Sequence, residues 1–310
     1  MSRQTSKAKP KPAVTIVGPG RLGQALAIAL QASGYSIQSV VARRPTQARK
    51  VVALLAGSSG RVDGALPILP LRISDLSKLP PSDLIFIATP DDAIPETASR
   101  LAINGSGKGR AVFHTSGALS SAVLAPLAKA GFHTGSLHPL VSVSEPRSGA
   151  AALRGAFYCL EGDRTALRMA RLIVEDLAGK AFSIRPESKA LYHAAAVMAS
   201  PHLVALFDLA TEMLASCGVN KKSARQILLP LVESTVNNLR AMSSEQALTG
   251  TFARGDVATA RRHLAELSGK KLAEALEVYK LLGLRSVELA KKRGLDEHVM
   301  SELRKLLKKL

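Results

Sequence analysis

Two cysteines, no tryptophan and only 4% aromatic residues are what this chain of 310 residues most lacks. Cys159 and Cys217 are far apart and form no CxxC pair, so neither a disulfide framework nor a metal site is indicated, and the expected compartment is reducing. So few aromatics leave little to build stacking platforms for single-stranded nucleic acid. Acid is scarce as well, with 24 Asp and Glu against 42 Lys and Arg, a formal charge of +18. The excess gathers at the ends. Residues 1–12 carry Arg3, Lys7, Lys9 and Lys11 with no acid, and residues 291–310 hold seven basic side chains against Asp296, Glu297 and Glu302. Such clusters read as solvated tails and helix faces, which argues against nucleic acid as a partner; a small anionic substrate is the expected beneficiary of the remaining positive potential. No apolar run is expected to approach the roughly 18–20 uncharged residues that cross a bilayer, and the basic start shows no signal-peptide pattern. The expectation is a cytoplasmic protein without a membrane partner.

What is present is a strand-and-helix alternation. "AVTIVG" (13–18) is a β-branched run that stops at glycine, followed by "RLGQALAIALQASGY", whose Leu22, Leu26 and Leu30 recur at helical spacing. Further strands are expected at 36–44, 83–90, 109–117, 131–140, 155–162 and 180–186, with a helix over 165–177 between the last two. This pattern predicts an α/β, mostly parallel, doubly wound sheet. After Glu187 no strand is expected and Leu/Ala-rich helices run to the end. The expected domains are a disordered basic tail over 1–12, a Rossmann dinucleotide-binding domain over 13–185 and a helical substrate and dimerisation domain over 186–310.

"GPGRLG" sets Gly18, Gly20 and Gly23 in G-x-G-x-x-G spacing between a strand and a helix. The first glycine permits the tight turn, the second lets the backbone approach a pyrophosphate, and the third lets helix pack on strand. This turn, with Pro19, Arg21 and Leu22, and the loop carrying Thr89, Pro90 and Asp91 are the expected cofactor contacts. Where an NAD site expects an acid at the end of the second strand, this chain has Arg43 and Arg44. Two guanidiniums suit a 2′-phosphate, so NADP(H) is expected over NAD(H); the alternative is two arginines that merely solubilise a loop.

In a doubly wound sheet the ligand lies outside the carboxyl ends of the strands. Those ends carry "HTSGALS" and "SLHPLVS", hence His114, Ser116 and His138. Each has a plain alternative: His114 satisfying loop carbonyls, Ser116 capping the next helix, His138 fixing the turn before Pro139. "HTSGA" is not the G-x-S-x-G elbow of a serine hydrolase. At about 100° per residue, Lys189, His193, Ala196 and Ser200 of "ESKALYHAAAVMASPH" share one helical stripe with Tyr192 at its edge, and Pro201 is expected to kink the helix near Ser200. A lysine in a dry pocket has a lowered pKa and can protonate a carbonyl oxygen as hydride arrives. The alternative is Lys189 in an exposed first turn beside a core histidine.

Taken in order, "VGPGRLG", "ATPDDAI", "HTSGALS", "SLHPL", "ALYHAAAVMAS" and "LTGTFARGD" resemble a bacterial family with a Rossmann-like domain followed by a C-terminal helical domain of unknown function. The chain is more distantly similar to pyrroline-5-carboxylate reductase, prephenate dehydrogenase and ketopantoate reductase. The resemblance implies a helical domain of the 6-phosphogluconate dehydrogenase-like type, a homodimer, and NADPH-dependent reduction of a 2-oxo acid. It places Lys189 as proton donor and His193 one turn later, where those enzymes often have asparagine; the strand ends add His138 as a catalytic group and Ser116 and His114 at the substrate, and the helical stripe adds Ser200 there. The chain departs from the family at Pro201, where asparagine is usual, and at Thr251, where proline is usual. In the loop 249–256, Arg254 can clamp a substrate carboxylate, while Asp256 can orient it or cap the following helix, the cap being the favoured reading. Two rivals stand beside the reductase: a non-catalytic NADP-binding sensor, and a prephenate-type dehydrogenase, to which "HPLVSVSEPRSG" gives a faint likeness.

Overall fold

The protein is described from a computed structural model that covers residues 11–58, 67–103, 107–269 and 272–309. The expected basic tail therefore lies outside the described residues except at Lys11, which is no free tail residue: its Nζ pairs with Asp176 at 2.7 Å, and Asp176 also accepts from the Tyr35 hydroxyl at 2.6 Å.

Eight strands form one sheet: β1 (Ala13–Val17), β2 (Ser36–Ala42), β3 (Leu69–Arg72), β4 (Leu84–Ile87), β5 (Ala111–His114), β6 (His133–Pro139), β7 (Phe157–Gly162) and β8 (Lys180–Ser183). Their order is β3-β2-β1-β4-β5-β6-β7-β8, parallel throughout except where β7 runs antiparallel to β6. The expected strands match seven of these. The edge strand β3 went unpredicted, because "LPLR" is short and carries a proline that only an edge tolerates.

Alternate residues feed two packed layers, as the period of two requires. Val14, Ile16, Leu84, Phe86, Phe113 and Leu137 join one core with α1 (Arg21–Ala32) and α2 (Pro45–Ser58). Val17, Ile85, Ile87 and Val112 join the other with α3 (Ile94–Ile103) and α4 (Ala125–Lys129). α5 (Pro146–Leu153) and α6 (Arg164–Asp176) complete the first layer. Asp163 starts α6, accepting from the N–H groups of Thr165 and Ala166 at 2.9 Å each.

The chain divides into compact units Met1–Ser200 and Pro201–Leu310. The first therefore keeps α7 (Lys189–Ala199), which the expected boundary near Pro186 assigned to the second, because α7 is hydrogen-bonded to the sheet. Within the second unit, helices α8 (Pro201–Ala215), α9 (Lys221–Ala241), α10 (Ser244–Ala247), α11 (Val257–Gly269), α12 (Ala273–Lys291) and α13 (Glu297–Lys308) include a core of Ala260, Leu264, Val287, Met300, Leu303 and Leu307. Asp256 caps α11 by accepting from the Thr259 N–H at 2.9 Å, as favoured above.

One expectation is overturned. Residues 190–207 contain no Asp, Glu, Lys or Arg, and the helical stretch Pro186–Ala215 is long and apolar enough, by length and composition, to cross a membrane, with 6% of its apolar window buried. Tyr, His, Ser and Pro interrupt the apolar pattern there without adding formal charge, which hides the run in the sequence.

Candidate active site

At the carboxyl end of β1, the Gly18 N–H donates to the Val41 carbonyl at 2.9 Å and the Gly20 N–H to Gly18 O at 2.8 Å, closing the tight turn. Gly18 has φ +88°, and a Cβ on it would stand 2.7 Å from the Thr89 nitrogen. A Cβ on Gly23 would run into the Gly18 carbonyl oxygen, whereas one on Gly20 would meet nothing within 4 Å. Two glycines are thus held by backbone, and the middle one faces open space. That space is a cleft of about 420 Å³ whose lining includes Gly18, Pro19, Gly20, Arg43, Thr89 and Pro90. Arg21, Leu22, Gly23, Arg44 and Asp91 are not part of that lining: the first three form the opening turn of α1, and the Arg44 carbonyl starts α2 by accepting from Gln47 N at 3.0 Å. Ile73, Gln47, Glu96 and Arg100 line the cleft too and carried no sequence signal; Arg100 and Glu96 pair at 2.7 Å.

A dinucleotide fits this cradle on three observations. The first turn of α1 holds no acid, so its free N–H groups favour an anion. Gly20 leaves room for the backbone approach. The buried Thr89 hydroxyl has no partner among the described residues, a cost that a polar ligand atom would remove.

Farther along the same sheet edge, one face turns polar. The alternation that puts Leu137 and Leu160 into the core puts Ser136, His138, Cys159 and Glu161 on the reverse face, where Ser136 pairs with Glu161 and His138 with Cys159. α7 lies on this face. Lys189 is 1% exposed, and its Nζ donates to the Ser116 carbonyl at 3.1 Å and to Ser136 Oγ at 2.8 Å. Burial lowers its pKa, while Cys159, Glu161 and Asp91 pull the other way. The exposed first turn considered for Lys189 is therefore ruled out. The Glu161 carboxylate, also buried, accepts from Ser121 N at 2.6 Å and Ser121 Oγ at 2.5 Å. Its strand position alone gave no hint of this role.

His138 Nδ1 lies 2.7 Å from the Tyr192 hydroxyl, and its ring meets that of His193 edge-on at 5.9 Å between centroids. Burial, followed by the charges of Lys189, His193 and His114, pushes the His138 pKa down to about 4. His114, fully buried, accepts from Ser116 N on Nδ1 at 3.2 Å, and burial with the Lys189 charge takes it down to about 4 as well. Gly117 runs beneath both other imidazoles: a Cβ there would stand 2.9 Å from His138 Nε2 and collide with His193 Cδ2.

The structure thus gathers Lys189, His138, His193, His114 and Ser116 into one network, and adds Tyr192, Glu161 and Gly117. Ser116 serves it through its carbonyl. Its hydroxyl is spent on Asp91 at 2.8 Å and on the N–H groups of Ala118 and Leu119. Ser200 does not join: it is the cap residue after α7, at φ −130° and ψ −77°, the break expected before Pro201. Arg254 lies in the second unit, exposed, in the loop before α11.

The Rossmann-like domain family matches residues 2–139, and the domain of unknown function DUF2520 matches residues 156–286. No curated protein matches the sequence. Among solved structures, the chain is similar to protein TM1727 from Thermotoga maritima, at 25% identity, with 90% of this chain and 99% of that one covered and a TM-score of 0.66. It is similar to BF3122 from Bacteroides fragilis, provisionally named an NADP oxidoreductase, at 20% identity, 91% and 99% coverage and a TM-score of 0.70. It is also similar to Plasmodium falciparum pyrroline carboxylate reductase with NADP bound, at 9% identity, 96% and 99% coverage and a TM-score of 0.57. Likeness at 20% and 9% identity is a likeness of fold. With the glycine cradle and the sheet order, the two family matches make this chain a Rossmann-like domain followed by a DUF2520 domain.

Proposed function

We propose that the chain is an NAD(P)-dependent oxidoreductase that reduces a small carboxylate-bearing ketone or imine, such as a 2-oxo acid of the ketopantoate type, with NADPH preferred. The observation that carries this reading is a short chain of contacts along one sheet edge. Pro90 lines the nucleotide cleft, Asp91 next to it accepts from Ser116 Oγ, and the Ser116 carbonyl accepts from Lys189. Cofactor cradle and basic cluster are therefore neighbours. The named NADP oxidoreductase and pyrroline carboxylate reductase of like fold support it. The cradle of Gly18, Pro19 and Gly20 would hold a reduced nicotinamide dinucleotide, whose chemistry when bound would be hydride donation to the substrate carbon. Lys189 sets a positive potential over the site that favours a developing oxyanion, and His138 and His193 face the reacting oxygen or nitrogen.

A screen of 2-oxo acids and cyclic imines for NADPH oxidation by the purified full chain tests the reading. Turnover of one of them is expected; NADPH binding with no turnover would favour the sensor. For cofactor choice, Arg43→Ala should weaken NADPH binding about 10-fold and leave NADH binding unchanged, because only a 2′-phosphate uses the guanidinium. Arg44→Ala should matter less, since Arg44 does not line the cleft. Equal effects on both cofactors would sink the NADP preference.

The chain is further proposed to act as a homodimer. In the second unit, Val204 on α8 is 68% exposed, and Ile227 and Leu231, one turn apart on α9, are 58% and 63% exposed. Exposed apolar side chains such as these call for a cover, and a second copy supplies matching apolar faces by symmetry.

A further inference from the structure

We infer that Tyr192 is a positioning residue: its hydroxyl holds His138 as the tautomer with hydrogen on Nε2, so that His138 presents a fixed, neutral N–H donor to the substrate. The inference rests on the reductase reading for what that donor does, and on geometry alone for the tautomer.

The hydroxyl lies 2.7 Å from His138 Nδ1, and its one proton has two possible acceptors nearby, that nitrogen and the Cys159 thiol. An imidazole nitrogen is much the better acceptor, a thiol sulfur being weak. The alternative, Nδ1–H donating to the tyrosine oxygen, would send the tyrosine proton to that weak sulfur. Burial raises the Tyr192 pKa, so the phenol keeps its proton to give. With Nδ1 accepting, the His138 hydrogen must sit on Nε2, the atom beside Gly117. His138 is kept from charging by burial and by Lys189, His193 and His114 around it; Cys159, its partner across the strands, is buried and its thiol pushed up by burial.

A neutral imidazole stabilises a developing oxyanion by donating a hydrogen bond. It does not give up its proton, which would leave an imidazolate. The proton that completes reduction of a ketone to an alcohol then comes from a solvent water, which leaves as hydroxide, and until it arrives the oxyanion is held by the His138 N–H and the Lys189 field. Lys189 is buried, with two of its three Nζ donors held by the Ser116 carbonyl and the Ser136 hydroxyl. In this inference Lys189 acts as a source of field, beside the proton donation that the resemblance implies for it.

The test is long-range proton–nitrogen correlation on the full chain labelled with 15N-histidine, recorded from about pH 5 to about pH 8. His138, assigned by loss of its signals in His138→Gln, should show the neutral Nε2–H pattern throughout. In Tyr192→Phe it should average between tautomers while the other histidines keep their patterns. An Nδ1–H pattern in the parent chain, or an unchanged pattern in Tyr192→Phe, overturns the inference. The kinetic arm is separate: with a substrate in hand, Tyr192→Phe should lower kcat about 10-fold and leave KM and NADPH affinity unchanged. A locked tautomer in a protein that turns over no substrate would leave the positioning intact and remove the reductase reading instead.

Discussion

Gly117 illustrates how a single missing methyl group can organise a site. Its φ lies outside the left-handed region, so alanine is compatible with the backbone, and the three atoms nearest to a Cβ there all belong to the pair of imidazoles lying over it. Gly117→Ala should therefore leave thermal stability within about 1–2 kcal/mol of the parent while cutting kcat/KM about 100-fold, through misplacement of His138 and His193. Adding His193→Ala removes the worse collision and should restore the His138 nitrogen signals toward the parent pattern. Unfolding of the single variant, or undisturbed histidine signals in it, would show that the space is not used as described. At this scale the sequence was partly legible. His114, His138, Lys189 and His193 could be picked out because strand ends and one helical stripe concentrate polar groups among apolar ones. Tyr192 could be placed at the edge of that stripe but given no role, and Glu161 and Gly117 went unmarked, because their roles depend on which residues a neighbouring strand or helix brings opposite them.

Among elements, α6 shows how local signals and long-range tethers meet in one side chain. Asp163 caps the helix through one carboxylate oxygen and accepts from Thr134 N on β6 through the other, at 2.6 Å. Asp163→Ala should cost about 1–3 kcal/mol in chemical denaturation, more than an ordinary cap, because it leaves the Thr134 N–H in a largely buried position without its partner. A loss below about 0.5 kcal/mol would show that water replaces both roles. Element by element, seven of the eight strands could be read from short segments, some of them β-branched, bounded by glycine or proline, and the glycine turn from its spacing. The sidedness of β6 and β7 could have been read too: in "HTGSLHP" Thr134, Ser136 and His138 take every second place, in "FYCLEG" Cys159 and Glu161 flank Leu160, and the stripe holding Ser136, His138, Cys159 and Glu161 becomes the site. What local pattern could not give was the antiparallel setting of β7, which pairs His138 with Cys159 and Ser136 with Glu161. Nor could it give the allegiance of α7, which hydrogen bonds of Lys189 to residues 53 and 73 positions away decide.

For the molecule as a whole, the exposed apolar helix faces set the expectation in solution. Sedimentation of the full chain should give a dimer, and Ile227→Glu with Leu231→Glu should give a monomer of unchanged helical content, since both side chains are exposed within the second unit. A monomeric parent would refute the dimer, and parent chains that pellet with lipid vesicles would assign the apolar stretch 190–207 to a membrane surface instead. The basic excess shapes this scale as well. It follows a composition visible from the sequence, but one basic residue near the start, Lys11, is spent on Asp176 and lies 5.0 Å from the Tyr35 ring centre.

The alternation along β6 and β7 has a last consequence, for how such a protein can change. Leu137 and Leu160 hold the scaffold on one side, while their immediate neighbours Ser136, His138, Cys159 and Glu161 carry the polar groups on the other. Scaffold and reactivity are thus interleaved in sequence but separated in space by the thickness of a sheet. Replacing the second set, residue by residue, would redirect the chemistry while the first set went on folding the same eight strands.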